Sequence, residues 1–371
     1  MTAQGDFEIF LVAAPGLEAA LADEARGLGF AAIKVMTGGV RIRGGWPAVW
    51  RANLMLRGAG RVLARIGSFR AVHLAQLDKR ARQFPWADYL RKDVAVAVEA
   101  ACTRSKIYHS GAAAERIGRA IHEELGATIA DEAPVGVKAR IADDLCTISL
   151  DTSGGLLHKR GHKAAVARAP LRETLAALLL AQCGYDGHEP VYDPMCGSGS
   201  FVIEAAEMAL GLAPGRDRAY AFEQLTTFDE AQWIALKAAV TAQPTAFTFF
   251  GSDRDQGAVT MAAANAARAG VGAVTRFHRA AISDVKRPEG PAGLVIINPP
   301  YGDRIGDKAR LAALYGALGR VLRDRFSGWR VGLVTNEAAL ARATGLALLP
   351  PSPAISHGGL KVRLYQTGPL P

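Results

Sequence analysis

From Ala169 to Thr335 short apolar runs alternate with stretches of helical period, and this alternation restricts the fold more than any other feature. The pattern predicts helix 171–183, strand 190–193, helices 200–210 and 229–240, strand 246–251, helix 255–269, strands 273–278 and 293–297, helix 308–325 and strand 329–335. Parallel strands need long crossovers, and helices of this length supply them. The expected fold is therefore α/β, with a doubly wound parallel sheet. Segments 346–349 and 361–366, joined by a Pro- and Gly-containing loop, are expected to close its edge as an antiparallel hairpin.

The first part of the chain follows a different pattern. Strand 7–14, helix 17–28 and strands 32–35 and 39–43 form a small α+β unit. A helix is expected over 46–63, its outer side bearing Arg51, Arg57, Arg61 and Arg65, followed by the basic and aromatic stretch 79–92. This surface is either a polyanion-binding face or a solvated one backed by core aromatics. Strand 94–99, helix 110–125 and strands 135–141 and 147–151 complete a mixed sheet with helices on one side. The cationic segment Leu157–Lys163 reads as the interdomain connection, with His158 and His162 as solvated residues.

Charge points to a partner. Lys and Arg total 44 against 35 Asp and Glu, a net +9, with +6 (23 against 17) before residue 164 and +3 (21 against 18) after it. An excess of this kind favours nucleic acid. Cys102, Cys146, Cys183 and Cys196 form no C-x-x-C pair, which excludes a zinc knuckle and a disulfide framework and fits a reducing cytoplasm. No metal site is expected. No apolar stretch approaches the length of a membrane span.

Chemistry concentrates at three strand ends. Val191-Tyr-Asp-Pro-Met-Cys-Gly-Ser-Gly199 is a strand ending in Asp193, then a glycine turn, then a helix. Ligands of parallel sheets sit at such carboxyl ends, where glycines admit close approach to the backbone. The turn lacks the G-x-x-G-K-[ST] of a phosphate cradle, and an acidic strand end favours a cation. S-adenosylmethionine fits: Asp193 would face its amino and sulfonium groups, with Pro194, Met195, Cys196, Gly197, Ser198 and Gly199 around it. Strand 246–251 ends in Ser252-Asp253, and Asp253 either accepts from the ribose hydroxyls or caps the helix beginning near Asp255. Cys196 has no neighbouring cation to ionise it, so it reads as pocket packing rather than a nucleophile.

The third strand end, Leu294-Val-Ile-Ile-Asn-Pro-Pro-Tyr301, suggests the reaction. Pro299 and Pro300 remove two donors and stiffen the corner, so the Asn298 amide oxygen and a main-chain carbonyl, that of Pro299, project together as acceptors. A planar amine held by both hydrogens there exposes its lone pair to an electrophilic methyl group, and Tyr301 offers a ring on which a base stacks. The amine nitrogen becomes acidic only after transfer, so no strong general base is needed.

With D-P-M-C-G-S-G, G-S-D and N-P-P-Y-G in place, the chain resembles the THUMP-containing class I RNA methyltransferases, in particular the guanine-N2 half of bacterial large-subunit ribosomal RNA methyltransferases. The likeness runs from Pro15-Gly-Leu-Glu18 through Arg51–Arg57, Ser149–His162 and Ala169–Ala177 to Gly358–Tyr365. It implies a ferredoxin-like part (1–55), a THUMP RNA-binding domain (56–156), a connection (157–168) and a Rossmann-like methyltransferase domain (169–371) with a seven-stranded sheet whose last hairpin is antiparallel. It further implies S-adenosylmethionine as cofactor, bound by 193–199 and Asp253, a target amine held by 298–301, and 23S ribosomal RNA or a large-subunit precursor as partner. Arg51, Arg57, Arg61, Lys159 and Arg160 are the candidate RNA contacts. Relatives often carry an Asp where Ala281 stands, so the adenine falls to Asp284, to Ser283 or to backbone groups. Ser356-His357-Gly358 departs from the Asn-Gly common there. The other readings are an adenine-N6 methyltransferase on RNA or DNA, a protein glutamine methyltransferase, and an RNA-binding module with a degenerate methyltransferase fold.

Overall fold

The computed structural model describes residues 5–163, 171–301 and 308–371. Its first elements are β1 (Phe7–Val12), α1 (Glu18–Gly27), β2 (Ala31–Met36), β3 (Gly39–Gly44), α2 (Trp46–Met55), β4 (Arg61–Arg70), α3 (Leu74–Arg82), β5 (Val96–Thr103), α4 (Ser110–Leu125), β6 (Val135–Ala142) and β7 (Leu145–Asp151). There follow α5 (Glu173–Gln182), β8 (Val191–Asp193), α6 (Ser200–Ala209), α7 (Glu230–Ala238), β9 (Phe249–Asp253), α8 (Gln256–Arg268), β10 (Thr275–Arg279) and β11 (Leu294–Ile297). The last are α9 (Lys308–Arg325), β12 (Arg330–Thr335), α10 (Ala338–Ala343), β13 (Ile355–His357) and β14 (Leu360–Gln366). Among the described residues no helix is long and apolar enough to cross a membrane.

The chain divides into two compact units. One runs to Ala13, then Leu21–Leu157 and Gly215–Ala239; the other takes Ala14–Ala20, His158–Pro214 and Val240–Pro371. The first unit holds a single seven-stranded sheet in the order β2-β3-β1-β4-β7-β6-β5. Its β4 pairs with β1 on one side and β7 on the other, so residues on both sides of the 55/56 boundary share one sheet. The helix expected over 46–63 ends at Met55, because Leu56 turns extended (φ −75°, ψ 118°) and Gly58 and Gly60 interrupt the helical run. Arg61 and Arg65 therefore lie on a strand, where side chains alternate between faces, and not on a helix surface.

Segment 215–239, expected in the methyltransferase domain, belongs to this first unit. Aromatic packing explains it: Trp50 meets Phe222 and Phe228 at ring-centroid distances of 6.3 and 6.0 Å, and Phe222 meets Trp233 edge-on at 5.1 Å. The Tyr220 hydroxyl donates to the carbonyls of Gly215 (2.8 Å) and Asn53 (3.1 Å).

The second unit contains the sheet β10-β9-β8-β11-β12-β14-β13. Strands β8 to β12 are parallel, and β14 runs antiparallel against β12 and β13. Every residue of β8 and β11 is buried, as expected of central strands covered on both faces. The closing hairpin pairs 355–357 with 360–366; the 346–349 segment contributes only a bridge between Leu348 and Thr367. Pro350, Pro351 and Pro353 interrupt the chain between these two segments and limit its backbone donors.

Phe222 is fully buried, and Phe→Ala at such a site typically costs 3–5 kcal/mol. Phe222→Ala is expected to lower unfolding free energy by about 3 kcal/mol in a urea titration; an unchanged midpoint would show that 215–239 adds nothing to the unit's stability.

Candidate active site

The order of the parallel strands fixes the site. Because β8 lies between β9 and β11, the connections leave it in opposite directions, and the strand tips on either side border a crevice. Asp193, Asp253 and Asn298 sit at or just past the carboxyl ends of these three strands. A cavity of about 360 Å3 opens there, lined by Pro194, Met195, Asp253, Arg254, Ala280, Ala281, Ile282, Asn298, Pro300 and Leu314. Pro194 and Met195 of the loop after β8 thus share one space with Asn298 and Pro300 of the N-P-P corner, whereas Asp193, Cys196, Gly197, Ser198, Gly199 and Pro299 are not among its lining residues.

The loop after β8 is tied from several sides. Gly197 N–H donates to Asp253 Oδ2 (3.1 Å) and Cys196 N–H to the Ser252 carbonyl (2.9 Å). Asn265 on α8 is fully buried and donates to the Ser198 carbonyl at 3.1 Å. Gly199 is obligatory: its φ is +85°, and a Cβ there would meet the Ala262 methyl at 3.1 Å. At Gly197 a Cβ would meet nothing within 4 Å, which leaves that backbone open to a ligand.

Asp255, not Asp253, caps α8, accepting from Gly257 N–H at 2.8 Å. Asp253 lines the cavity instead, with Oδ1 accepting from Asp255 N–H at 3.0 Å. Asp193 is 3% exposed and accepts from Met195 N–H at 3.0 Å. Burial, with the nearby Asp253 charge, pushes its carboxyl up to about 8. Burial also raises the Cys196 thiol well above its usual value, so this sulfur is packing and no nucleophile at neutral pH.

The N-P-P corner carries an unsatisfied acceptor. Among the described residues, Asn298 Oδ1 is buried without a hydrogen-bond partner, although Asn298 lines the cavity. Leaving such an oxygen unpaired costs roughly 1–3 kcal/mol, which a ligand N–H would recover. The corner is braced by Tyr315 on α9, whose hydroxyl donates to the Pro300 carbonyl at 3.3 Å. Tyr301, expected to offer a stacking face, is only 4% exposed and is not among the cavity-lining residues.

Other expected positions fall differently. Asp284 is exposed beyond the cavity, accepting from the Ser283 hydroxyl at 3.1 Å; Ala281 and Ile282 form the wall at that place. Arg160 is no surface cation: it is 4% exposed and paired with Glu204 at 3.3 Å. Lys163 pairs with Glu173 at 2.9 Å and donates to the Ser200 hydroxyl at 2.7 Å, which anchors the first turn of α6. His162 is buried and His158 half-buried, and burial lowers both to about 4, which keeps them neutral. The rest of the expected connection, 164–168, lies outside the described residues, as does Gly302. Lys159 is exposed. Asn265 and Tyr315 were not expected, because a lone polar residue in a helical pattern gives no signal of what it reaches.

The residues fit an adenosine bearing a cationic chain: Asp193 for the cation, Asp253 for paired hydroxyls, the Ala281–Ile282 wall for a flat ring, and no cradle for phosphate. This fold and site define a Rossmann-like methyltransferase. Residues 160–350 match the family described as the RMKL-like methyltransferase domain, and the chain belongs to it. Residues 8–63 match the RlmL ferredoxin-like domain. The chain is 31% identical over 368 residues to the "Putative RNA methyltransferase slr0064" of Synechocystis, covering 96% of this chain and 95% of that one. Its structure is similar to that of a "predicted N6-adenine-specific DNA methylase" from Listeria monocytogenes (30% identity, 98% and 97% covered, TM-score 0.86). It is also similar to that of "SMU.472, a putative methyltransferase complexed with SAH" (27% identity, 99% of each chain, TM-score 0.88).

Asp193 generates a pH prediction. The free carboxyl holds a proton below about 8, whereas a cationic ligand group favours the ionised form. S-adenosylhomocysteine affinity is therefore expected to fall as pH drops below about 8, with proton release visible in buffer-dependent calorimetry. Asp193→Asn should flatten the profile; a flat profile in the unaltered protein would remove Asp193 from the ligand's amino group.

Proposed function

We propose that the protein is an S-adenosylmethionine-dependent methyltransferase acting on an exocyclic base amine of RNA, guanine N2 of 23S ribosomal RNA or of a large-subunit precursor being the favoured target, in the cytoplasm. One observation carries this reading: among the described residues Asn298 Oδ1 is buried without a hydrogen-bond partner, on a residue that lines the cavity together with Asp253 and with Pro194 and Met195 of the loop after β8. An amide oxygen there calls for a donor, and an amine brings two. In this reading residues 193–199 and Asp253 hold the cofactor, and 56–156 are a THUMP region that grips RNA. The family match and the name of the Synechocystis relative support an RNA substrate, and the SAH bound to SMU.472 supports the cofactor.

S-adenosylmethionine, when bound, supplies a methyl group on a positively charged sulfur. The chain's own residues do the positioning. Asn298 Oδ1 accepts one amine hydrogen and the Pro299 carbonyl the other, so the nitrogen lone pair is directed away from both. The Tyr315 hydroxyl on the Pro300 carbonyl keeps the corner from relaxing. Buried Asp193 compensates positive charge in the cofactor's amino-acid portion. No residue need remove a proton beforehand, because the nitrogen turns strongly acidic only as it is methylated, and the released proton passes to solvent.

Adenine N6 is the second reading, favoured by the name of the Listeria neighbour, since both amines present the same two hydrogens. Mass spectrometry of nucleosides from unmodified ribosomal RNA incubated with protein and cofactor distinguishes them: N2-methylguanine is expected, and N6-methyladenine would replace the first reading. Asn298→Ala should retain S-adenosylhomocysteine binding within about twofold while lowering turnover by 100-fold or more, on the scale of losing one positioned polar contact in a transition state. Equal loss of binding and turnover would assign Asn298 to the cofactor. Asp253→Ala should chiefly weaken the cofactor, and unchanged affinity would remove Asp253 from the ribose.

A further inference from the structure

Strand alternation gives the first unit's sheet two unlike faces. In β6, Val135, Val137, Ala139 and Ile141 are buried, while Lys138 is half-buried and Arg140 exposed on the other side. Register carries this alternation across the sheet. One cross-strand row on the open face runs Arg43, Glu8, Arg65, Ser149, Lys138, Glu99. Beside it Arg41 lies opposite Phe10, and on the other side Arg140 lies opposite Thr147 and Ala101.

Charge on this face is only partly compensated. Glu8 pairs with Arg41 (2.7 Å) and Arg65 (3.1 Å), Glu99 pairs with Lys138 (2.7 Å), and Asp151 pairs with Arg61. Eight cations thus meet three carboxylates: Lys34, Arg41, Arg43, Arg61, Arg65, Arg70, Lys138 and Arg140 against Glu8, Glu99 and Asp151. Among the described residues, exposed Arg43 and Arg140 join no ion pair. Between the rows lies a cavity of about 430 Å3, in the range of small-ligand sites, whose lining includes Phe10, Arg65, Ala101, Lys138, Arg140 and Thr147.

Arg65 is the distinctive element. Its guanidinium lies 4.7 Å from the Phe10 ring centroid, flat support for a flat cation, while Glu8 holds it from the side. A guanidinium fixed in this way is a ready platform for an unstacked base. Arg51, expected among the RNA contacts, is occupied differently: its guanidinium lies 4.8 Å from the Phe30 centroid and donates to the Leu28 carbonyl.

We propose that this open sheet face holds an unpaired segment of RNA, with phosphates on Arg43, Lys138 and Arg140 and a base stacked on Arg65. The proposal rests on the reading that the substrate is RNA, and names where and in what form it is gripped. A duplex buries its base faces within its own stack and has no use for the Phe10–Arg65 platform; a single strand presents phosphates and bare bases together. Thr147 and the buried Ser149 also line the cavity.

The test is fluorescence anisotropy of the full-length protein with a short oligouridylate and with an RNA duplex of equal length, across a salt series. The single strand is expected to bind more tightly. Arg140→Ala, which leaves the fold's melting temperature unchanged, should weaken it roughly threefold to tenfold and reduce the log–log salt slope by about 0.7, one phosphate contact on a single strand. Arg65→Lys keeps the charge but loses the plane, so it should weaken binding by roughly tenfold with the salt slope preserved. If both variants bind like the unaltered protein while Arg51→Ala weakens binding, the RNA sits elsewhere and this placement falls alone. Tighter binding of the duplex would also overturn it. If the unaltered protein binds neither RNA, the reading of RNA as substrate falls with it.

Discussion

Gly197 donates its backbone N–H to the Asp253 carboxylate, and this bond holds the loop after β8 against the tip of β9. Hydrogen bonds to charged groups contribute roughly 1.5–3 kcal/mol, enough to fix a short loop that carries two positive-φ glycines. It also sets what the site can be. One oxygen of Asp253 is taken by Gly197 and the other by Asp255 N–H, so the carboxylate's plane is fixed beside the cavity. Asn265 and Ser252 secure the same loop from α8 and β9.

Two buried polar groups at this site are left without full compensation, and both point to a ligand. Asp193 is held as a carboxyl whose ionisation the surroundings resist, and among the described residues Asn298 Oδ1 lacks a donor. Folding alone does not favour either. A cation beside the first and an amine beside the second would relieve both costs; Asn298 lines the cavity, and Asp193 lies buried at the strand end next to its lining residue Pro194.

Much of this was legible in the sequence because the signals are local. A strand that stops at Asp193 before a glycine turn, or at Asn298 before two prolines, announces its chemistry within ten residues. The same locality explains the misplacements. Helical spacing of apolar residues continued past Met55, yet Leu56 and the glycines after it turned Arg61 and Arg65 into strand residues. Leu157–Lys163 has the composition of a solvated connection, but Arg160 is buried against Glu204, 44 residues on, and Lys163 pairs with Glu173 in the next helix. Asp284 lay close to the expected adenine contact in sequence and outside the cavity in space.

The sequence by itself determined which elements form and which residues stand at their ends, because hydrophobic period, glycine at positive φ and proline's missing donor act over a few bonds. Only the tertiary structure decided the strand order that gathers three of those ends, the attachment of 215–239 to the first unit through Trp50 and Phe222, and the face on which Arg65 and Arg140 stand. Those outcomes depend on pairing and burial between residues up to about 170 positions apart, and no short window of sequence contains both partners.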